Sequence, residues 1–270
     1  MDKKIIDEMI KQGRKFMHHP DEMEDFVSDQ MQKLPQPQLV KAPMTDNVMA
    51  LPRNFEDLKL NDKFSDLLYL RKSHRVYTEE TISLLELSFI LYAIQGIKDI
   101  RGKNYATLRT VPSGGARHGF ETYIIIKYSS DLKPGLYHYL PMNHELEFLK
   151  SIEDLNETMD ASCERQTWAT KASAIFYFTA TPYRFEWRYG IHAHRPALID
   201  LGHVGQNMYL ATTALRLGTC GLASFDQSYC DRMLGIDGNE EFTVYVHPVG
   251  TIKVEDEAKE KAFYSFLDEE

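Results

Sequence analysis

The apolar positions of this chain predict one long central helix, several shorter helices and a set of short strands. In residues 196–221, PALIDLGHVGQNMYLATTALRLGTCG, apolar and small side chains recur on every side of a helical cylinder, which is typical of a buried helix. The helix is predicted to begin at Pro196, a residue suited to a first helical turn. It is predicted to end at Leu217, with Gly218 in the left-handed position that closes many helices. With a length of about 33 Å, it is predicted to cross the centre of the molecule.

Two roles are open for this helix. Polar residues such as Asp200, His203 and Arg216 interrupt it, which argues against a membrane span. Four small residues leave space for another backbone: Gly202, Gly205, Ala211 and Ala214. The helix is therefore either the core helix of a monomer or a helix shared between the core and a subunit interface.

Shorter patterns predict the remaining elements. Residues 62–70 predict a helix with an apolar stripe, and the capping box Ser83-Leu84-Leu85-Glu86 begins a largely buried helix that ends at Gly96. Runs of β-branched and aromatic residues predict strands at residues 121–128, 135–140, 146–149, 174–181 and 242–249. Because strands and helices do not alternate strictly, the predicted fold class is α+β.

The chain is predicted to have one body with an extension at each end. Residues 1–60 form an N-terminal extension, with a helix followed by the proline-rich segment 34–43, LPQPQLVKAP, which favours an extended path. Residues 61–254 form the body, and residues 255–270 form an acidic C-terminal tail or helix. The N-terminal extension is expected to clasp the body or a partner subunit.

Composition narrows the classes of function. The 270 residues carry a formal net charge of −9 without a basic stripe, which argues against nucleic-acid binding. The N-terminus lacks the apolar run of a signal peptide, so a cytoplasmic protein that binds no membrane is expected. We predict no metal site, because the scattered cysteines and neighbouring histidines lack a defined set of four ligands. These residues are Cys163, Cys220, Cys230, His192, His194 and His203.

Two stretches carry candidate chemistry. Residues 71–75, RKSHR, place three cations and a hydroxyl within one short segment, either as a solvated turn or as an anion site, where charge-assisted hydrogen bonds contribute about 1.5–3 kcal/mol each. Residues 109–119, RTVPSGGARHG, contain two glycines whose backbone can approach a flat ligand. This stretch lacks the ending of a phosphate-binding loop, and no predicted strand precedes it as in a dinucleotide fingerprint. Gln95 is either a satisfied buried amide or a partner for a polar heterocycle.

Taken in order, these motifs resemble the nitroreductase family, and within it the SagB-type (ThcOx) dehydrogenase branch. The resemblance covers residues 64–253. It is carried by RKSHRVY (71–77), QG (95–96), RTVPSGGARHGFE (109–121), PGLYHY (134–139), RYG (188–190), LIDLGHVGQNMYLATTALRLGTCG (198–221) and FDQSYCDRMLGIDG (225–238). The resemblance implies a nitroreductase-like, FMN-dependent α+β fold with a central mixed or antiparallel sheet flanked by helices. It also implies an intertwined homodimer with an FMN at each of two sites between the subunits, so that residues 61–254 are the FMN-binding domain.

The resemblance also implies roles for individual residues. The motif that holds the FMN phosphate and the polar edge of the flavin matches Arg71, Lys72, Ser73 and Arg75. The closing basic residue at the phosphate matches Lys253, and a position near the polar edge of the ring matches Gln95. The loop over the isoalloxazine, typically donated by the other subunit, matches Pro112, Ser113, Gly114 and Gly115. The segment whose backbone N–H faces flavin N5 matches Leu222, Ala223 and Ser224.

The chain departs from this branch at one pair of residues. Branch members that oxidise thiazolines or oxazolines in ribosomal peptides use a Lys-Tyr pair as general base, and the matching pair here is Arg188-Tyr189. Arginine stays protonated at neutral pH and cannot replace a lysine base. Tyr189 is left as the candidate catalytic residue, although its ordinary pKa near 10 is high for a base, and the main chemistry is expected on FMN.

The predicted function is therefore that of an FMN-dependent oxidoreductase that transfers hydride through flavin N5. In one form it is a reductase of nitroaromatics or quinones, with NAD(P)H as electron donor. The alternative within the branch is an azoline (thiazoline or oxazoline) dehydrogenase in ribosomal peptide maturation, which acts on a peptide heterocycle. An alternative of another class is a non-catalytic flavin-binding protein. The expected protein partner is a second copy of the chain.

Overall fold

The structure is a computed structural model that describes residues 3–18, 26–253 and 257–265. Its strands are β1 (Val48–Ala50), β2 (Ile97–Arg101), β3 (Ala106–Arg109), β4 (Phe120–Ile126), β5 (Gly135–Leu140), β6 (Glu145–Lys150), β7 (Ala174–Ala180), β8 (Leu217–Thr219) and β9 (Phe242–Thr251). Its helices are α1 (Lys3–Met17), α2 (Phe64–Leu70), α3 (Leu84–Gln95), α4 (Leu155–Ser162), α5 (Tyr183–Tyr189), α6 (His194–Ala214), α7 (Gln227–Leu234) and α8 (Glu257–Phe263). Seven strands form one sheet in the order β1-β6-β5-β4-β7-β9-β8, and β2 pairs with β3 in a separate hairpin.

The sheet is buried on both faces because its central strands are apolar. All residues of β4 and β7, FETYIII and AIFYFTA, are buried, as in strands that are covered on two sides. One face, which includes Ile124 and Phe176, packs against α3 and α6. The other face, which includes Tyr123 and Ile175, packs against α4 and α7. Neighbouring strands of the sheet are antiparallel, so the predicted α+β class and the antiparallel sheet flanked by helices are confirmed.

The predicted capping box is present at the start of α3. The Ser83 hydroxyl accepts a hydrogen bond from the Glu86 N–H at 3.2 Å, and the Glu86 carboxylate accepts one from the Ser83 N–H at 2.8 Å. α3 ends before Gly96 as predicted, but Gly96 is not left-handed, since its φ is −59°. Glycine is needed there for space, because a Cβ at this position would lie 2.4 Å from the Tyr92 carbonyl oxygen.

The central helix α6 ends three residues earlier than predicted. The left-handed residue after the helix is Arg216, with a φ of 59°, instead of Gly218. Gly218 lies in β8, where a Cβ would come within 2.6 Å of Ile252 and 2.7 Å of His74. The prediction extended the helix because a three-residue edge strand has no periodicity of its own.

One face of α6 is open in a single chain. Leu198 and Ile199, in the first half of α6, are 51% and 56% exposed, and α2, which also contacts α6, exposes Phe64, Leu68 and Tyr69. We call these five residues the α2–α6 face. Within one chain α6 is therefore not buried on all sides, and the apolar stripe predicted at residues 62–70 has no buried residue. A helix shared between the core and a subunit interface stays a prediction.

Short elements were missed by the sequence patterns. They include β1, the β2–β3 hairpin, β8 and the helices α4, α5 and α7. Because β3 ends directly before residue 110, the premise that no strand precedes the glycine-rich stretch was wrong. The predicted boundaries at residues 60 and 254 stay predictions. Residue 254 of the predicted body and residues 255–256 and 266–270 of the predicted tail lie outside the described part of the chain.

Residues 26–47, which we call the strap, cross the sheet and form hydrogen bonds with buried carboxylates. The Met44 N–H donates to the Glu147 carboxylate at 2.8 Å. The imidazole of His138, fully buried in β5, lies between two carboxylates, with Nδ1 2.8 Å from Glu147 and Nε2 3.2 Å from Glu121. Burial alone would lower the pKa of His138, but the two carboxylates outweigh it and raise this pKa above its ordinary value. The protonated ring thus holds the carboxylates that anchor the strap.

We expect the substitution His138→Gln to lower the free energy of unfolding by an amount that depends on pH. Because the folded state raises the pKa of His138, the stabilisation from its charge is present below about pH 6.5 and is lost as the pH rises through the folded-state pKa. The difference in free energy of unfolding between wild type and His138→Gln, measured by urea titration, should therefore shrink from about pH 6 to about pH 9. A difference that stays constant or grows over this range would contradict the assignment.

Candidate functional site

The residues with candidate chemistry form two groups at different points along α6. We call residues 71–75 the basic loop and residues 112–115 the glycine loop. The basic loop contacts Tyr209 in the second half of α6, and the glycine loop contacts Asp200 in the first half. Each group therefore contacts a different residue of α6.

The basic loop is fastened to β8 and to α6. The His74 N–H donates to the Thr219 carbonyl at 2.9 Å, and the Ser73 hydroxyl lies 3.0 Å from the Tyr209 hydroxyl. The guanidinium carbon of Arg71 lies 5.3 Å from the centre of the Tyr209 ring, a distance at which a cation and a π face attract each other. Arg71 and Ser73 are thus both positioned by one side chain of α6.

A cavity of about 760 Å³ opens beside the basic loop. The cations Lys72, Arg216 and Lys253 line it together with one carboxylate, that of Glu260, and with apolar side chains, among them Val76 and Ile252. Lys72 and Lys253, which the sequence predicts at the same phosphate, therefore lie on one cavity. Such a lining suits a ligand that has an apolar body and a negatively charged end.

The side chain of Arg75 is directed toward the C-terminal segment that contains α8. Its guanidinium hydrogen-bonds the Tyr264 hydroxyl and lies 5.8 Å from the Trp168 ring. Glu260 of α8 accepts hydrogen bonds from the N–H groups of Arg75 and Val76, both at 2.8 Å. Since these contacts engage Arg75 with the C-terminal helix, its predicted contact with a phosphate or flavin stays a prediction.

Residues 222–224 run from β8 past the edge of β9. The Leu222 N–H donates to the Val246 carbonyl at 2.8 Å, and the Val246 N–H donates back to Leu222 at 3.2 Å. Ala223 and Ser224 are exposed. Because the Leu222 N–H is used inside the chain, a backbone N–H for a bound ligand has to come from Ala223 or Ser224.

The glycine loop is folded against α5 and the first half of α6. The Gly114 N–H donates to the Asp200 carboxylate at 2.9 Å. Gly115 has a φ of 56°, and a Cβ on it would lie 2.6 Å from the Tyr189 hydroxyl and 2.7 Å from Arg188 Nε. Residue 115 therefore requires glycine for its backbone angle and for space. The Arg188-Tyr189 pair lies against this loop instead of the basic loop.

Tyr189 lies between the glycine loop and a second cavity. This cavity, of about 420 Å³, is lined by Tyr189, by His192 and Arg195, and by Phe16 of α1. Arg188 is directed elsewhere, since its Nη1 donates to the Tyr105 hydroxyl at 2.6 Å. The phenol of the predicted catalytic pair is therefore the member that borders open space.

A single chain holds the basic loop and the glycine loop apart. Asp200 and Tyr209, their respective partners on α6, are nine positions apart, which is about 14 Å along a helix axis. The structure therefore brings the predicted site residues into two clusters, with Arg71, Lys72, Ser73 and Lys253 in one and the glycine loop with Tyr189 in the other.

Gln95 belongs to neither cluster. It is 2% exposed, its Nε2 donates to the Phe120 carbonyl at 3.3 Å, and its Oε1 accepts from Arg109 at 2.8 Å. Of the two alternatives for this side chain, the structure favours a satisfied buried amide.

The sequence analysis did not identify three residues that contribute to the two clusters. Asp200 and Arg216 were noted only as polar interruptions of the long helix, and Tyr209 only as one of its apolar positions. A carboxylate inside an apolar helix is the sequence signal that could have identified Asp200. Burial raises the pKa of this carboxyl above its ordinary value, although hydrogen bonds from Ser113 and Gly114 oppose the shift. Nothing in the sequence distinguishes Tyr209 from a core aromatic residue.

Several other kinds of site find no support in the described residues. Burial raises the pKa of the Cys220 thiol, so it lacks the thiolate character of a nucleophile. Residues 3–18, 26–253 and 257–265 contain no group of three acidic, histidine or cysteine side chains placed to bind a metal ion. No helix within these ranges has the length and hydropathy needed to cross a bilayer.

Comparison with known proteins defines the class. The sequence profile of the nitroreductase family matches residues 68–251. A relative from Methanocaldococcus jannaschii, by name a nitroreductase (MJ1384), is 31% identical over 188 residues, which are 70% of this chain and 90% of the relative. The chain belongs to the nitroreductase family, a family of flavin-related oxidoreductases.

More distant similarities include a trifolitoxin-processing protein and two solved structures. The trifolitoxin-processing protein TfxB of Rhizobium leguminosarum is 29% identical over 133 residues, which are 48% of this chain and 36% of TfxB. Among solved structures, a nitroreductase-like protein of Ralstonia eutropha has a TM-score of 0.61 at 21% identity and covers 82% of this chain and 95% of its own. A chain of the Escherichia coli microcin synthetase McbBCD complex, solved with truncated pro-MccB17, has a TM-score of 0.57 at 18% identity and covers 84% and 88%. The two structures support the fold.

The strained position in the glycine loop gives a direct test of its geometry. We expect Gly115→Ala to lower the free energy of unfolding by about 1–3 kcal/mol, because the new Cβ meets Tyr189 and Arg188 at a positive φ. Gly114→Ala is the matched control, since its Cβ would lie 3.7 Å from Tyr189, an ordinary contact. Equal stability of the two variants in urea titration would show that the loop has another conformation.

Proposed function

We propose that this protein is an FMN-dependent oxidoreductase whose cofactor lies between two copies of the chain. The observation that carries the proposal is the cavity beside the basic loop, which gathers Lys72, Arg216 and Lys253 in a protein of net charge −9. A dianionic phosphate requires several fixed cations, and Arg71 and Ser73 extend this set along the loop. The residues present therefore fit the phosphate end of FMN.

The second copy supplies the other half of the proposed site. Because the two loops are separated along α6 within one chain, the basic loop of one copy and the glycine loop of its partner would form one site. The α2–α6 face offers the apolar surface that such a contact requires. The glycine loop would allow the flat ring to approach its backbone, and the N–H of Ala223 or Ser224 would stabilise negative charge that develops at flavin N5.

FMN held at this site would supply the hydride-transfer chemistry through its N5 atom. The chain binds and orients the cofactor, and Tyr189 would hold or move a proton beside the glycine loop. NAD(P)H is the proposed electron donor, with a nitroaromatic compound, a quinone or a similar small molecule as acceptor. The similarity to MJ1384 over 90% of that relative supports this reductase form.

A SagB-type dehydrogenase that oxidises a peptide azoline is the second candidate. It is favoured by the similarity to the trifolitoxin-processing protein over about half of this chain. The arginine at position 188 argues against it, because a guanidinium cannot serve as the base at neutral pH. A non-catalytic flavin-binding protein is the third candidate, and the cation set and the glycine loop are equally compatible with it.

Flavin content and its reduction test the proposal. We expect the purified protein to be yellow, to release FMN on denaturation and to lose its visible flavin absorbance when mixed anaerobically with NADH or NADPH. Bound flavin that neither nicotinamide bleaches would support the dehydrogenase. Bound flavin that no reductant or acceptor turns over would support the non-catalytic protein. A flavin-free protein that refuses added FMN would overturn the proposal.

Arg71→Ala tests the position of the phosphate. Loss of a charge-assisted hydrogen bond worth about 1.5–3 kcal/mol should raise the FMN dissociation constant by about 10- to 150-fold, measured by fluorescence titration. Arg232→Ala is the control, because Arg232 is an exposed arginine of α7 outside both clusters. An unchanged FMN affinity in Arg71→Ala would show that the phosphate does not bind at the basic loop.

A further inference from the structure

The Tyr209 hydroxyl connects two segments that are distant in sequence. It accepts a hydrogen bond from the Gly221 N–H at 2.8 Å and lies 3.0 Å from the Ser73 hydroxyl. Gly221 directly precedes residues 222–224, whereas Ser73 is the centre of the basic loop. One phenol on α6 therefore joins the segment proposed at flavin N5 to the loop proposed at the phosphate.

The ring of Tyr209 has a contact on each of two sides. The Arg71 guanidinium lies 5.3 Å from its centre, and the buried His247 ring meets it edge-on at 5.5 Å. A glycine at position 221 is needed beside this group, because a Cβ there would clash with the Tyr245 hydroxyl and would lie 2.9 Å from His247 Cε1. The phenol is thus held in place by the core and in turn holds Arg71.

The direction of the hydrogen bond between Tyr209 and Ser73 has a chemical consequence. Each hydroxyl carries one proton and the phosphate oxygens of FMN are acceptors, so Ser73 can donate to a phosphate only if its own oxygen accepts from Tyr209. The Gly221 N–H donates to the Tyr209 oxygen and cannot accept a proton. Of these two partners, only Ser73 can therefore accept the proton of Tyr209.

We infer that Tyr209 is a positioning residue that orients the Ser73 hydroxyl toward the phosphate and fixes the segment that follows Gly221. The inference rests on the proposed FMN site and extends it to a residue that the family resemblance did not assign. Tyr209 need not touch the cofactor. It acts through Ser73, Arg71 and Gly221.

Tyr209→Phe isolates the hydroxyl, because the ring and its contacts with Arg71 and His247 are kept. We expect an FMN dissociation constant about ten-fold higher than that of the wild type, together with a shifted flavin midpoint potential, because the Gly221 N–H loses its partner. Tyr137→Phe is the matched control. It also removes a phenol hydrogen bond, 2.7 Å to the Lys133 carbonyl, but lies in β5 outside both clusters, and it should keep wild-type affinity and potential.

A double-mutant cycle separates positioning from a general loss of stability. If Tyr209 acts through Ser73, its removal should weaken FMN binding much less in the Ser73→Ala background than in the wild type. Additive losses in the cycle, or wild-type FMN affinity and potential in Tyr209→Phe, would overturn the inference while the proposed function stands. A wild type that binds no FMN would overturn the proposed function and this inference together.

Discussion

The fixed position of α6 against the sheet is the constraint on which the rest of the site depends. Its inner side is buried against β4, β7 and β9 through residues such as Val204 and Met208. Because a packed helix does not stretch, the contacts that Asp200 and Tyr209 make on it keep the glycine loop and the basic loop about 14 Å apart along the helix axis. This separation is the reason for our proposal that the basic loop of one copy and the glycine loop of its partner together form the cofactor site.

This arrangement explains why so much polar chemistry is concentrated on an otherwise apolar helix. The Asp200 carboxylate accepts a hydrogen bond from the Gly114 N–H. The Tyr209 hydroxyl forms hydrogen bonds with the Ser73 hydroxyl and the Gly221 N–H. Both side chains hold loops, and the cations Lys72, Arg216 and Lys253 line the cavity beside the basic loop. The exposed apolar side of the same helix supplies the surface on which a second copy would place its own loop.

Sequence patterns predicted the parts of the fold that have strong local signals. The apolar strands β4 and β7, the capping box at Ser83 and the existence of α6 belong to this group. The C-terminal end of α6 was misplaced, because Arg216 takes the left-handed conformation that a glycine usually takes. Three-residue strands such as β8 were missed because their pairing is decided by distant segments.

Only part of the candidate site was predicted, because some of its residues act through contacts between distant segments. Motif resemblance pointed to the basic loop, Lys253 and the glycine loop, and the structure gathers them in two clusters. Tyr209 and Asp200 were not identified, since their roles come from contacts with residues that lie more than 80 positions away along the chain. The side chain of Gln95 is used inside the core, which no local pattern reveals.

Sedimentation velocity recorded at the visible flavin absorbance is the most direct measurement of the central claim. If the cofactor is held between two copies, the flavin signal should sediment as a single species with the mass of two chains and one FMN per chain. Flavin that sediments with the mass of a single chain would contradict the account.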